Sequence, residues 1–436
     1  MLPLALLAAC QFSRPRDIDP VDAREIDAVD APPPCTPSTV VCDDAAGVYT
    51  ECDATGTVVR QLTCPLGCAT DTEQCLDIDP HNGLAMYLDM VEDPPDVVLR
   101  GEATIDPVTG LVFDDGVELE MPTFLVPVTQ PGEPALRVFV VKSMTVDTRV
   151  DIAASPQRRY PIAVLSLGDV TVRGMISIAA AGSLAGPGGW PGVDIQHSQG
   201  AACIGRPVFD SAPSPGAGGG GGSVPGGTGG DVNQRAGGIP GIAHPGMEPL
   251  AGGCAGGGNW AFDERYGGGG GGAIQITSRT TIRIEQGGGI DASGGGGEPS
   301  GLHLGGTGGG AGGTIVLEAP QVVLNGSNVV LSTKGGGGSG ASSASQLAQP
   351  GQDGGTGPAE AQGGTSPSSS PGGHGALFGG PGDGAPALGG SDGGGGGGGA
   401  AGNILLVTRA GTVQPANGAA IRGARADIVI RARTIP

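Results

Sequence analysis

Glycine decides what this chain can fold into, because its distribution is so uneven. Of 89 glycines in 436 residues, ten lie before residue 181 and 79 follow it. They come in unbroken blocks, Gly218 to Gly222, Gly267 to Gly272, Gly335 to Gly338 and Gly393 to Gly399. The blocks exclude collagen, which needs glycine at every third place. With 37 prolines, glycine makes up about 29% of the chain, a level that usually marks low complexity or disorder. What lies between the blocks argues otherwise.

Residues 137–436 carry a degenerate repeat of three short β-type runs. The copies are RVFVV (137–141), MTV (144–146), VDIA (150–153); AVLSL (163–167), DVTVR (169–173), ISIA (176–179); AIQIT (273–277), TIRIE (281–285), IDAS (290–293); and TIVLE (314–318), VVL (322–324), NVVLS (328–332). A weaker last copy holds NILLV (403–407), AAIR (419–422) and DIVIR (427–431). Ile274 and Ile276 alternate with Gln275 and Thr277, and Val170 and Val172 flank Thr171. This period of two, in β-branched residues, predicts strands with one buried face. Three strands in roughly 20 residues is the size of one β-helix coil, and an aliphatic stack explains why aromatics are only 3%. The expected fold is all-β: a right-handed parallel β-helix, or solenoid.

The glycine blocks mostly follow the third strand of a unit, as insertions at about 181–272, 294–313 and 334–401. Two readings of them stay open. Polyglycine costs the most entropy to order and can remain mobile. Alternatively, segments from different loops pack side by side as extended threefold helices, an approach only glycine permits. Residues 77–136 have strand-like pieces and predict a β cap or first coils shielding the first edge.

The front of the chain differs. Leu7-Ala8-Ala9-Cys10 has the lipobox pattern, so 1–10 reads as a lipoprotein signal ending at a lipidated Cys10, although no basic residue precedes it. Residues 11–34 are rich in aspartate and end in prolines, which predicts an extended acidic tether. Cys35, Cys42, Cys52, Cys64, Cys68 and Cys75 fall in 35–76, a segment too small to be held by an apolar core, so disulfides are expected. Zinc is disfavoured because no C-x-x-C knuckle is present, and connectivity is not fixed by spacing. Cys203 and Cys254 are expected to bridge across a glycine insertion. The net charge of −21 excludes nucleic acid as a partner, and no 18-residue apolar run spans a membrane.

The lipobox, the tether, the six-cysteine module and the pattern GGGGGGAIQITS…GGGIDASGGGG…GGTIVLEAP resemble the glycine-rich surface lipoproteins of myxobacterial type. The resemblance is looser to glycine-rich surface proteins of other bacteria. It implies a location, the outer membrane or cell surface through a lipid anchor, or secretion, but no mechanism.

Chemistry is sparse. No P-loop, H-E-x-x-H or G-x-S-x-G is present, and Gly226-Gly227-Thr228-Gly229-Gly230-Asp231 is a single, incomplete match to a calcium nonapeptide. The five histidines read as scattered loop residues, so neither metal nor cofactor is expected. Trp190, Trp260, Phe262 and Tyr266 are candidate ligand-contact aromatics, or loop anchors. A carbohydrate-active enzyme, lyase or hydrolase, would draw on Asp147, Asp151, Asp169, Arg173, Arg283, Glu285 and Asp291. The leading expectation is a non-catalytic surface lipoprotein, structural or adhesive, with envelope polysaccharide as a possible partner. The alternatives are that enzyme and a polyglycine-based binder of regular surfaces such as ice or polymer lattices.

Overall fold

The computed structural model describes residues 35–69, 74–127, 135–192, 202–208, 213–259, 265–367, 370–387 and 393–435. The signal, Cys10, the tether, Trp260 and Phe262 lie outside the described residues.

The fold is almost entirely β and is built on three largely parallel sheets. The first takes Leu136–Val141, Ile162–Ser166, Ala273–Ser278, Thr314–Glu318, Asn403–Thr408 and Ala424–Val429. The second takes Asp96–Leu99, Ser143–Val146, Val170–Val172, Thr281–Ile284 and Gln321–Leu324. The third takes Ala103–Ile105, Val150–Asp151, Met175–Ser177, Gly289–Asp291, Val330–Ser332 and Ala420–Arg422. The chain visits the sheets in the same order copy after copy. Register aligns like residues: Phe139, Val164, Ile276, Leu317 and Leu406 form one row of the first sheet, and Val150, Ile176, Ile290, Leu331 and Ile421 one row of the third. These rows, with Val172, Ile284 and Leu324 of the second sheet, meet in a single aliphatic core. The alternation of apolar residues puts each β-branched side chain on the inward face of its strand.

The first sheet departs from the expected single buried face. Its strands from Leu136–Val141 to Asn403–Thr408 are buried at every position, because residues 64–91 cover their outer side, while the last strand, Ala424–Val429, stays partly exposed. Leu66, Ile78, Leu84 and Leu88 pack there on Val138, Leu165, Val316 and Val407. The same cover explains the burial of Glu318, which accepts from His81 Nδ1 at 2.9 Å, from the His81 backbone N–H and from Thr277 Oγ1. His81, expected in a loop, is therefore a buried hydrogen-bond donor in the cover.

Residues 96–105 add strands to the second and third sheets, while Thr123–Val126 and the hairpin Val112–Asp114/Val117–Leu119 close two sheet edges with antiparallel pairing. The last copy is shorter than expected: its second-sheet part shrinks to a bridge between Asn325 and Ala416, and DIVIR falls in a further first-sheet strand. The N-terminal module, a three-stranded antiparallel sheet, is tied by Cys35–Cys52, Cys42–Cys68 and Cys64–Cys75. The strand that follows this sheet, Cys75–Ile78, pairs with Ala432–Ile435, and buried Asp77 meets Arg279 and Arg433 at 2.7 and 2.8 Å.

Candidate functional site

The described residues of the glycine insertions form an ordered bundle of extended threads. In residues 216–221, successive backbone N–H groups point to three different neighbours with a period of three. Gly216 and Gly219 donate to Gly230 and Gly227; Ala217 and Gly220 to Gly306 and Gly309; Gly218 and Gly221 to Arg206 and Cys203. The carbonyls of the same thread accept from three others, through Gly238 and Gly241, Gly397 and Ala400, and Gly257 and Cys254. Three donor directions plus three acceptor directions give six surrounding threads. Residues 305–313 repeat the pattern, donating to 393–402, 250–258 and 292–297 and accepting from 214–222, 266–272 and 333–341. A threefold extended helix has no internal hydrogen bonds, so its amides are free to bind neighbours in this way.

Such packing leaves little room for side chains inside; Ala217, Thr307 and Ala311 are among the few buried there. A Cβ on Gly219 would lie 1.9 Å from the Gly398 carbonyl oxygen, and one on Gly309 would lie 2.1 Å from that of Gly336. Peripheral threads are different. Every third residue faces solvent: Pro225, Thr228 and Asp231; Ala236, Ile239, Ile242 and Pro245; Gln362 and Thr365; Pro371 and His374; Asp383 and Pro386. The threads 236–245, 224–231 and 381–387 are neighbours in that order, joined by Gly229 to Gly238 and by Gly384 to Thr228. Their outward residues rule one face at a repeat of roughly 9 Å, three residues at about 3.1 Å each. Ile239 and Ile242, 65% and 57% exposed, make its apolar margin.

The sequence contained the signal for this face. Unbroken glycine runs become interior threads, whereas PGGTGGD (225–231) and PGGHGA (371–376) become outer ones. The calcium-like match is one of these outer threads, and Asp231 Oδ1 accepts the Gly237 N–H at 2.7 Å.

The candidate aromatics do not form a platform among the described residues. Trp190 is half-buried, with the Arg158 guanidinium 3.6 Å from its ring centroid, and it packs on Cys203 and Cys254. These cysteines form a disulfide that ties an outer thread to an inner one. Tyr266 donates its backbone N–H to Glu298. The sulfurs of Cys42, Cys64 and Cys68 lie within 4.8 Å of one another, but all three are in disulfides and so are not thiolate ligands.

The charged candidates fall into separate sets. On the second sheet Arg173 bridges Asp147 at 2.9 Å and Glu285 at 2.8 Å, and the hydrogen bonds it donates to Glu285, then to Asp147, raise its pKa. Asp169 accepts from Thr280, while Arg283 stands in register with Thr171. On the third sheet Asp151, Ser177, Asp291 and Ser332 form one row. Asp151 is held by Arg149 at 2.8 Å. Burial raises the Asp291 carboxyl above its ordinary value, opposed by donors from Ser293. Asp151 and Asp291 are two strand spacings apart, roughly 10 Å.

No protein-family model matches this chain, and no curated protein or solved structure matches it.

Proposed function

We propose that the chain is a lipid-anchored cell-surface protein in which a right-handed parallel β-helix serves as a rigid mount for the glycine bundle. The ruled outer face of the bundle is its contact surface, for adhesion or envelope structure. The cyclic order of strands and their unbroken registers support the β-helix. Four disulfides fit an extracellular or surface setting. The observation that carries the functional reading is the outward period of three on adjacent threads, because it presents side chains in fixed rows on a rigid, fully hydrogen-bonded support. The face is side-chain poor and mostly uncharged, which suits a neutral extended polymer such as an envelope polysaccharide.

The test is a sedimentation assay of the full chain with cellulose, chitin and peptidoglycan sacculi, wild type against I239D/I242D. At least one solid is expected to retain the wild type and lose the variant more than tenfold. Equal retention of both would remove the face from the function.

The row joining Asp151 and Asp291 favours one second reading, glycoside hydrolysis, with Asp291 as the acid of raised pKa and Asp151 as the base. Reducing-end release from the same solids, abolished by D291N, would replace the binding reading.

A further inference from the structure

A lattice of backbone hydrogen bonds has edges, and at an edge unpaired N–H groups invite another chain, as at the rim of a β-sheet. In each of four outer threads two of the three N–H directions are used inside the bundle. In 224–231, Gly226 and Gly229 donate to Gly241 and Gly238, and Gly227 and Gly230 to Gly398 and Gly395. The third direction belongs to residues 225, 228 and 231. Pro225 has no N–H, and the Thr228 N–H is taken by Asp383 Oδ1 at 2.7 Å. In 236–245 the third direction belongs to 237, 240 and 243: Asp231 Oδ1 takes the Gly237 N–H, residue 240 is proline, and only Ala243 keeps its donor. In 371–376, Gly372 and Gly375 donate to Gly364 and Ala361, and Gly373 and Ala376 to Gly396 and Gly399, leaving the direction that starts at Pro371. In 381–387, Gly382 and Ala385 donate to His374 and Pro371, and Gly384 and Ala387 to Thr228 and Asp231, leaving the direction that contains Pro386.

Proline therefore stands in the outward donor phase of all four threads, and two aspartates take two of the donors that remain, so each thread keeps a single outward N–H, at Asp231, Ala243, His374 or Asp383, and none presents two in succession. The inner runs 216–222, 267–272, 305–313 and 393–402 contain none. We infer that Pro225, Pro240, Pro371 and Pro386, with Asp231 and Asp383, terminate the glycine lattice. The face they line is a latent joining surface for a glycine thread of a second copy of this chain, and these residues keep it closed.

The test is sedimentation velocity over a hundredfold range of concentration, on the full chain carrying Cys10→Ala so that no lipid contributes. Wild type is expected to keep one sedimentation coefficient. P225A/P240A/P371A/P386A restores four outward N–H groups and is expected to associate, with an apparent association constant more than tenfold higher. D231A/D383A frees two donors while leaving every proline in place, and is expected to associate more weakly. If proline only presets the threadlike φ, the alanine variant melts earlier without associating, and that result overturns the inference. Should the proline variant fail to fold, the aspartate variant decides: an unchanged sedimentation coefficient with a cooperative melt overturns it. So does association of the wild type that I239D/I242D abolishes.

Discussion

Replacing Gly308 with alanine separates an ordered bundle from a mobile glycine loop by the size of its effect. In a mobile loop, Gly→Ala restricts the folded and unfolded chain alike and leaves stability within about 0.5 kcal/mol. In the bundle, the added Cβ would lie 2.0 Å from the Gly218 carbonyl oxygen and 2.6 Å from its carbon. Carbon-to-oxygen approaches settle near 3.3 Å, so the threads 214–222 and 305–313 must part by roughly 1.3 Å. The bonds Ala217 to Gly306 and Gly220 to Gly309, both 2.9 Å, join these two threads and would stretch past hydrogen-bonding range. Two lost bonds at about 1 kcal/mol each, with about 1–3 kcal/mol for overpacking, give about 3–5 kcal/mol. The unfolded-state effect offsets under 1 kcal/mol of this, leaving a net loss of about 3 kcal/mol. Gly355 is the control: no atom lies within 4 Å of its added Cβ, so G355A should be neutral or slightly stabilising. Urea denaturation followed by circular dichroism measures both, and hydrogen exchange of peptides covering 305–313 localises the loss. If G308A matches wild type within about 0.5 kcal/mol, or exceeds it, the threads are not packed as described.

Three further outcomes are expected. C203S/C254S opens a bridge with a sequence separation of 51 and should cost about 4 kcal/mol on the loop-entropy account, read as a lower urea midpoint without reductant. For Asp291 the folded pKa lies above the unfolded 3.8, so the fold is penalised as pH rises through that interval; D291N should gain stability over wild type at pH 7 and lose the advantage at pH 3, and an equal difference at both would contradict this. Cys10→Ala should move the protein from the membrane fraction to the soluble fraction, and unchanged retention would defeat the lipid anchor.

The strands were legible because their signal is local. Ile274 and Ile276 alternate with polar residues, and the same alternation recurs at Ile282 and Ile284. The outer cover of the first sheet was not, since Val138, Leu165 and Val407 face a segment some 50 to 340 residues away, and alternation cannot report what lies across an interface. His81 shows the same limit: its partner Glu318 is 237 residues distant. The glycine threads were half legible. Composition left mobility and packing equally open, because either state tolerates glycine. The residues that distinguish them are the non-glycines at every third place, such as Thr228 and Asp231, or Ile239 and Ile242. A loop free of neighbours imposes no such period. A thread with its other two directions occupied does.

The strands and the bundle depend on one another for a physical reason. A single extended glycine thread holds no internal hydrogen bond and loses more backbone entropy on ordering than any other sequence. It is stable only among aligned neighbours, and something must align them. Threads 266–272, 305–313 and 393–402 run directly into Ala273–Ser278, Thr314–Glu318 and Asn403–Thr408, adjacent strands of the first sheet. At the junctions Thr314 donates to Gly272 and Asn403 to Gly313, continuing the ladder from sheet into bundle. The sheet thereby delivers three threads in register at a spacing of about 4.8 Å, the distance their own hydrogen bonds require. The remaining threads pack on these three or on one another, and each finds donors already in phase. Interdependence of this kind explains why the insertions tolerate almost no side chains and yet sit on strands of ordinary aliphatic composition: the strands supply the alignment, and glycine supplies the closeness.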